Sequence, residues 1–123
     1  MRSELEESLT RRYPDMFADA GKIWCDDGWY DLIDSVCSCI SCHLQSSPGK
    51  FKFTQVKEKF AGLRMYSEGA DDFINGVISM AETLSYRICE VTGGQGVRCV
   101  QGGYIRTLSS AKAEELGFSV MTK

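Results

Sequence analysis

Phe51-Lys-Phe-Thr-Gln-Val-Lys-Glu-Lys-Phe-Ala-Gly-Leu-Arg-Met-Tyr-Ser67 is the stretch of sequence that decides the fold. Apolar and polar side chains alternate over residues 51–53 and again over residues 63–66, as they do in strands with one buried face. Ala61-Gly62 lies between the two runs. The alternation slips between Phe53 and Val56, as it does at a β-bulge. We therefore predict a β-hairpin over residues 51–67.

Two helices are predicted before the hairpin. The first covers residues 3–13, and Ser3 and Glu6 have the spacing of a capping box. The second follows Asp26-Asp27, either of which can cap it, and runs to about Leu44. Its predicted inward face consists of Trp29, Ile33, Val36, Cys37, Ile40 and Leu44.

A third helix is predicted after the hairpin, from Asp71-Asp72 to Cys89, because carboxylates favour the positive end of a helix. Two short strands, Val97–Val100 and Tyr104–Leu108, then precede a short helix that ends at Gly117. The apolar stripe of the third helix is predicted to consist of Phe73, Val77, Met80 or Ala81, Leu84 and Ile88.

Composition limits the class of protein. The chain has 123 residues, 43% of them apolar, which is enough for one domain with one core. A net charge of -3 weighs against a dedicated nucleic-acid-binding protein, which usually has a basic face. The first residues are charged, unlike a signal peptide, and no apolar run approaches the length of a membrane span. We therefore expect a cytoplasmic protein whose six cysteines are mostly thiols or metal ligands.

The densest group of potential metal ligands is Cys37-Ser-Cys39-Ile-Ser-Cys42-His43, which contains the C-x-x-C-H pattern of haem attachment. On a helix, Cys37 and Cys42 point about 140° apart, so they cannot converge on one metal. Cys39 and His43 share a face, but a structural zinc needs about four ligands. A Cys–His catalytic pair would have to use the same two residues, and a thiol on such a helix is more often packed. We predict that Cys37 is buried, that Cys42 is exposed and that the segment holds no metal or haem.

Acidic residues form two groups, one around Asp26–Asp34 and one around Glu68–Asp72. They can cap helices on a solvated face, or they can present an acidic surface to a basic partner. The second interpretation selects these candidate partner-binding residues: Asp26, Asp27, Asp31, Glu68, Asp71 and Asp72.

A basic alternative lies on the hairpin. Phenylalanine and tyrosine rings near its basic residues could stack on the bases of a nucleic acid. The residues that could line this face are Lys50, Lys52, Lys57, Lys59 and Arg64.

Several blocks, in order, carry a family resemblance: DDGWYDLID (residues 26–34), QVKEKFAGLRMY (55–66), ISMAE (78–82), CEV (89–91) and GGYIRTL (102–108). Together they resemble a family of small, functionally uncharacterised proteins encoded by tailed phages and prophages. The likeness covers about residues 24–117 and is most specific in residues 55–66.

The resemblance implies a C-terminal module like a zinc knuckle, with the pattern C-E-x-C, then glycines, then T-L-C-x-x-H. Cys89 matches the first ligand, whereas Thr92, Ser109 and Lys112 stand at the positions of the other three. One thiolate cannot hold structural zinc, and a hydroxyl or an ammonium does not replace the missing ligands. The module is therefore expected without its metal, held instead by its apolar residues.

The sequence thus predicts an α+β protein of a single domain, residues 1–123. Residues 1–88 form two N-terminal helices, a β-hairpin and a long third helix, and residues 89–123 form a degenerate zinc-ribbon-like module. No catalytic constellation or phosphate-binding loop is recognisable, so we expect neither an enzyme nor a cofactor. The resemblance implies a phage or mobile-element accessory protein that binds a host protein, for example an inhibitor of a host defence system such as a CRISPR effector. The alternative is a nucleic-acid-binding adaptor derived from a zinc-ribbon module.

Overall fold

The computed structural model describes residues 1–121, and its elements bear out the α+β class. The helices are α1 (Ser3–Arg12), α2 (Pro14–Phe17), α3 (Tyr30–Ser46), α4 (Asp72–Ser85) and α5 (Ser110–Leu116). The strands are β1 (Ile23–Trp24), β2 (Lys52–Lys59), β3 (Gly62–Glu68), β4 (Val97–Gln101), β5 (Tyr104–Leu108) and β6 (Ser119–Val120). None of the helices within residues 1–121 is long and apolar enough to cross a membrane.

The predicted hairpin is present, and it forms the larger part of a sheet with the order β1-β2-β3. β2 and β3 are antiparallel, with Val56 opposite Met65, and their register shifts between Phe53 and Gln55, where the alternation of the sequence slips. β1 adds a short parallel strand that places Ile23 beside Val56. Two residues are too few to produce a periodic pattern, which is why the sequence did not predict β1.

Most of the predicted inward face of α3 is confirmed, since Ile33, Val36, Cys37 and Ile40 are all buried, whereas Leu44 near the end of the helix is half-buried. The predicted caps of the first two helices are wrong, whereas Asp71 caps the third as expected. A 3-10 turn at Asp27–Trp29 leads into α3, and neither Asp26 nor Asp27 makes a capping hydrogen bond with its side chain. At α1 the carboxylate of Glu6 accepts a hydrogen bond from the amide of Ile23 (3.0 Å) instead of closing a capping box. In each case the side chain binds a residue distant in the sequence instead of capping its own helix.

The predicted stripe of α4 is wrong in phase by one residue, and the helix ends at Ser85 rather than at Cys89. The buried residues of α4 are Ile74, Ile78, Ala81 and Ser85. One edge of β3 has no neighbouring strand, so its backbone amides need other acceptors. Side chains of α4 supply these acceptors, and this requirement determines which face of α4 lies against the sheet. Leu63 donates to the hydroxyl of Ser85 (2.9 Å), and Met65 donates to the carboxylate of Glu82 (2.9 Å). Phe73, Met80 and Leu84 are consequently exposed.

The second sheet, with the order β5-β4-β6, lies in the C-terminal part of the chain. β4 and β5 form the two strands predicted there. The helix that follows is also present, with Ser109 capping the amide of Lys112 and Gly117 in the left-handed conformation at its end.

Backbone contacts around Glu90 hold the C-terminal part against the N-terminal part. The amide of Gly28 donates to the carbonyl of Glu90 (2.7 Å), and the indole of Trp29 donates to the carbonyl of Ile88 (2.8 Å). Gly28 lies so close that a Cβ on it would stand 2.2 Å from the carbonyl oxygen of Cys89. Only glycine fits this approach, so the two parts are packed backbone to backbone.

Side chains complete the same junction. Arg106 binds both Asp26 and the buried carboxylate of Glu90. Burial raises the pKa of Glu90, and the charge of Arg106 acts in the opposite direction. The hydroxyl of Thr107 donates to the carbonyl of Ala61 in the hairpin turn (2.7 Å). These contacts fix β4 and β5 beside the hairpin.

Candidate functional site

The outer face of the first sheet carries basic and aromatic side chains. Val56 and Met65 pair on the inner face, where both are buried. Because successive residues of a strand point to opposite faces, the neighbouring pair Lys57 and Arg64 lies on the outer face. Trp24 of β1 is beside Lys57 in the register and is 59% exposed. Three adjacent strands therefore contribute to one surface.

Each exposed ring of this surface has a lysine ammonium over it. A cation within about 6 Å of a ring centre is attracted by the electron-rich face of the ring. The rings are also open to other molecules, since Trp24, Phe60 and Tyr66 are 59%, 67% and 43% exposed. The pairs are Lys22 with Trp24, Lys57 with Tyr66 and Lys59 with Phe60, each with 5.7 Å between Nζ and the ring centre.

Tyr86 links this surface to the second sheet. Its hydroxyl accepts a hydrogen bond from Nη2 of Arg64 (2.8 Å), and this bond raises the pKa of Arg64 although burial opposes it. The Cζ atoms of Arg64 and of Arg98 on β4 lie 5.8 Å and 5.7 Å from the centre of the Tyr86 ring. Gly62 leaves room for the ring, because a Cβ there would lie 2.5 Å from Cζ of Tyr86. The two guanidinium groups are thereby held on one ring.

We call these nine residues the basic-aromatic face: Lys22, Trp24, Lys57, Lys59, Phe60, Arg64, Tyr66, Tyr86 and Arg98. Two adjoining carboxylates already have backbone partners. Glu58 accepts from the amide of Ala61 (2.8 Å), and Glu82 accepts from the amide of Met65 (2.9 Å). Lys22 also lies 4.0 Å from Glu6. The face is positive although the whole chain has a net charge of -3.

The sequence predicted part of this face. Lys57, Lys59 and Arg64 lie on it, whereas Lys52 binds Asp19 and lies 3.6 Å from Glu68, and Lys50 precedes β2. The residues that sequence reasoning missed are Lys22, Trp24, Tyr86 and Arg98. Lys22 and Trp24 lie on the same side of the extended segment that contains β1, but β1 is too short to leave a periodic signal in the sequence.

The acidic candidates have mostly internal partners. Asp26 binds Arg106, and Asp27 binds Arg2 at 3.0 Å. The acidic group around Glu68–Asp72 also has internal partners, since Glu68 lies 3.6 Å from Lys52. Asp71 caps α4 by accepting from the amide of Ile74 and also binds His43 at 2.7 Å; its hydrogen bond with His43 lowers the pKa of Asp71. In the described part of the chain, the two candidates that form no ion pair are Asp31 and Asp72.

The two acidic groups also lie towards opposite ends of the sheet. Glu68 is opposite Lys52 on β2, whereas Trp24, just before Asp26, is beside Lys57. The separation between Lys52 and Lys57 along a strand is about 17 Å. The acidic residues therefore do not form one continuous patch.

The cysteine cluster on α3 has the predicted orientation. Cys37 is fully buried, and burial raises its pKa to about 12, whereas Cys39 and Cys42 are exposed. His43 binds Asp71 and stacks on Phe73 with 4.2 Å between ring centres. Across residues 1–121, no group of three or more histidine, cysteine or acidic side chains is placed to hold a metal ion.

Two of the positions that the resemblance assigns to zinc ligands, Thr92 and Ser109, contact the first, Cys89. Burial raises the pKa of Cys89, but hydrogen bonds from Thr92, Ser109 and Val91 outweigh it and lower the pKa overall. The amide of Thr92 lies 3.4 Å from Sγ of Cys89. Ser109 uses its hydroxyl to cap α5, and Lys112 pairs with Glu115 at 2.8 Å. The hydroxyl and ammonium groups at these positions thus have structural partners of their own.

Comparison with protein families, with curated proteins and with solved structures finds no match to this chain.

Proposed function

We propose that this protein binds nucleic acid through the basic-aromatic face. The observation that carries the proposal is the row of exposed rings, each paired with a cation, on the solvent side of one sheet. Lysine and arginine neutralise phosphates, and aromatic rings stack on bases, so the two side-chain types together suit this ligand.

The negative net charge weighs against this proposal less than the local charge of the face supports it, because phosphates bind to the surface that they contact. Arg64 and Arg98 are held by Tyr86, and Glu58 and Glu82 are occupied by backbone amides. The five cations of the face outnumber the three carboxylates beside it, Glu6, Glu58 and Glu82, so an approaching phosphate meets a net positive charge. Negative charge elsewhere orients the approach, since a charged ligand is steered towards the surface of opposite sign.

The test is a double charge reversal, Lys57→Glu with Lys59→Glu. We expect the affinity for a fluorescein-labelled 20-nucleotide oligomer to fall by more than about tenfold, because neither substituted side chain can neutralise a phosphate. The salt dependence of binding should also weaken, by about 0.7 to 0.9 in the log–log slope for each phosphate that is no longer neutralised. Fluorescence anisotropy at several salt concentrations measures both effects.

Arg11→Glu is the matched control, since Arg11 is exposed on α1, outside the basic-aromatic face. It reverses one charge, so it is matched to Lys57→Glu alone, which is measured beside the double variant, and it should affect affinity little. Equal weakening by Lys57→Glu and by Arg11→Glu would show that overall charge, and not this face, governs binding. Absence of binding to DNA and RNA oligomers at low salt would refute the proposal.

Binding of a host protein is a second proposal, for the accessory or defence-inhibitor role that the family resemblance implies. Exposed apolar side chains on α4 favour it, because Met80 and Leu84 are 67% and 39% exposed on one side of the helix. Exposed apolar side chains that share one face are typical of protein interaction sites.

Affinity capture of host proteins by a tagged chain tests the second proposal. A partner that uses α4 should be lost with Met80→Lys and Leu84→Lys but retained with the Lys57→Glu and Lys59→Glu variant. If Asp31→Lys and Asp72→Lys abolish capture instead, the acidic candidates carry the interaction. Capture that none of these variants reduces would count against both surfaces.

A further inference from the structure

The turn between β2 and β3 holds a bulky residue in a conformation that favours glycine. Lys59 and Gly62 close the hairpin, and the two residues between them, Phe60 and Ala61, have φ values of 52° and 72°. Two-residue turns with positive φ at both positions favour Asn-Gly, because a Cβ is disfavoured in the left-handed region. Phenylalanine at the first of these positions is therefore a local conflict between sequence and backbone.

Ala61 has a structural function in this turn, whereas Phe60 has none that the contacts reveal. Ala61 is fully buried, its amide donates to Glu58, and its carbonyl accepts from Thr107. Phe60 is 67% exposed and lies outside both hydrophobic clusters. Strained residues that do not contribute to the core are concentrated at functional sites.

We infer that Phe60 is a base-stacking residue and that the ligand of the basic-aromatic face is a single-stranded nucleic acid. This inference rests on the proposed function and specifies it. A duplex keeps its bases paired and stacked on each other, so exposed rings can engage bases only where a strand is unpaired. Trp24 and Tyr66 provide two further exposed rings, and the adjacent lysines lie where the backbone phosphates of the same strand would pass.

The chain positions agree with this arrangement. Trp24 is level with Lys57 on β2, and Phe60 follows Lys59 at the end of the strand. The separation along the strand between Lys57 and Lys59 is about 7 Å. Three rings spread along and across the hairpin would contact about three bases, one base for each ring. Stacking of this kind discriminates little between base types, so DNA and RNA strands of mixed sequence should both bind.

The variant Phe60→Asn separates the effect of the left-handed backbone at residue 60 from the effect of its aromatic ring. Asparagine suits the left-handed conformation but cannot stack as a phenyl ring does. We expect the thermal midpoint to rise by about 4 °C and the affinity for a single strand, such as a 12-nucleotide oligothymidylate or oligouridylate, to fall by about tenfold. Phe60→Trp should retain the affinity because it retains an aromatic ring.

Ala61→Gly is the matched control, since it relaxes the second strained position and leaves the ring of Phe60 in place. It should leave the affinity for oligothymidylate unchanged. A blunt 12-base-pair duplex, measured by anisotropy in the same buffer, should bind about tenfold more weakly than the single strand.

If the duplex binds as tightly as the single strand, or if Phe60→Asn binds oligothymidylate and oligouridylate like wild type, stacking by Phe60 is wrong while nucleic-acid binding by the face stands. Loss of affinity together with a lower thermal midpoint would also overturn the inference, because the ring would then be supporting the fold. If neither single strands nor duplexes bind, the proposed function itself fails.

Discussion

Gly28→Ala is expected to destabilise the fold by about 3 kcal/mol or more, because a Cβ at this position collides with the backbone of residues 89 and 90. The added carbon would stand 2.2 Å from the carbonyl oxygen of Cys89 and 2.5 Å from the carbonyl carbon and oxygen of Glu90. None of these atoms can rotate away as the end of a flexible side chain could. Relief requires the two parts of the chain to separate, which weakens the hydrogen bond from Gly28 to Glu90 and exposes the junction around Trp29.

Gly76→Ala is the control for this prediction. Gly76 lies in α4, and a Cβ there would meet nothing within 4 Å. The same chemical change should stabilise the protein by about 0.5 to 1 kcal/mol, because alanine favours the helix more than glycine does. Urea denaturation followed by circular dichroism gives both values. A Gly28→Ala variant as stable as wild type would mean that the two parts do not pack as closely as described.

Zinc binding is expected to appear when Thr92 and Ser109 are replaced by cysteine and Lys112 by histidine. At two of these positions the backbone already contacts a thiol, because the amides of Thr92 and Ser109 donate hydrogen bonds to Cys89. Amide-to-sulfur bonds of this kind orient a thiolate for metal coordination. Three cysteines and one histidine are a common ligand set for structural zinc. The variant should therefore bind about one equivalent, whereas the natural sequence should bind far less.

Elemental analysis of protein purified without chelator measures the metal content, and thermal denaturation with and without zinc measures its effect on stability. The same variant with Cys89→Ser is the control and should bind much less zinc, since it loses the thiolate that the backbone already orients. No gain of zinc in the three-residue variant would argue against the zinc-ribbon-like interpretation of the C-terminal part. Stoichiometric zinc in the natural chain would show that its present ligands suffice.

Local periodicity predicted those elements whose pattern and burial agree. The hairpin alternates over residues 51–53 and 63–66 with a slip between Phe53 and Val56, and the structure places a register shift between Phe53 and Gln55. The inward face of α3 follows from apolar residues at helical spacing, and the burial of Cys37 follows from its place among them. In both elements the apolar pattern alone determines which side faces the core.

Where two patterns compete, the sequence alone cannot choose between them. α4 has two apolar stripes one residue apart, and the polar residues Glu82 and Ser85 decide between them by bonding the edge of β3. The basic-aromatic face could not be predicted completely for a related reason. Arg98 reaches Tyr86 because the chain folds back between them, where the amide of Gly96 donates to the carbonyl of Arg87 (2.9 Å). Contacts between distant parts of the chain leave no periodic signal.

The position of Tyr86 between Arg64 and Arg98 has a thermodynamic consequence. A ligand that contacts both guanidinium groups binds only the state in which the two sheets are docked. By linkage, such a ligand adds RT ln(1 + [L]/Kd) to the stability of that state, or about 2.7 kcal/mol at a hundredfold excess over Kd. The reciprocal also holds, because any change that loosens the junction at Glu90 lowers the affinity for the ligand. Binding of the ligand to the face and docking of the two sheets are then thermodynamically linked.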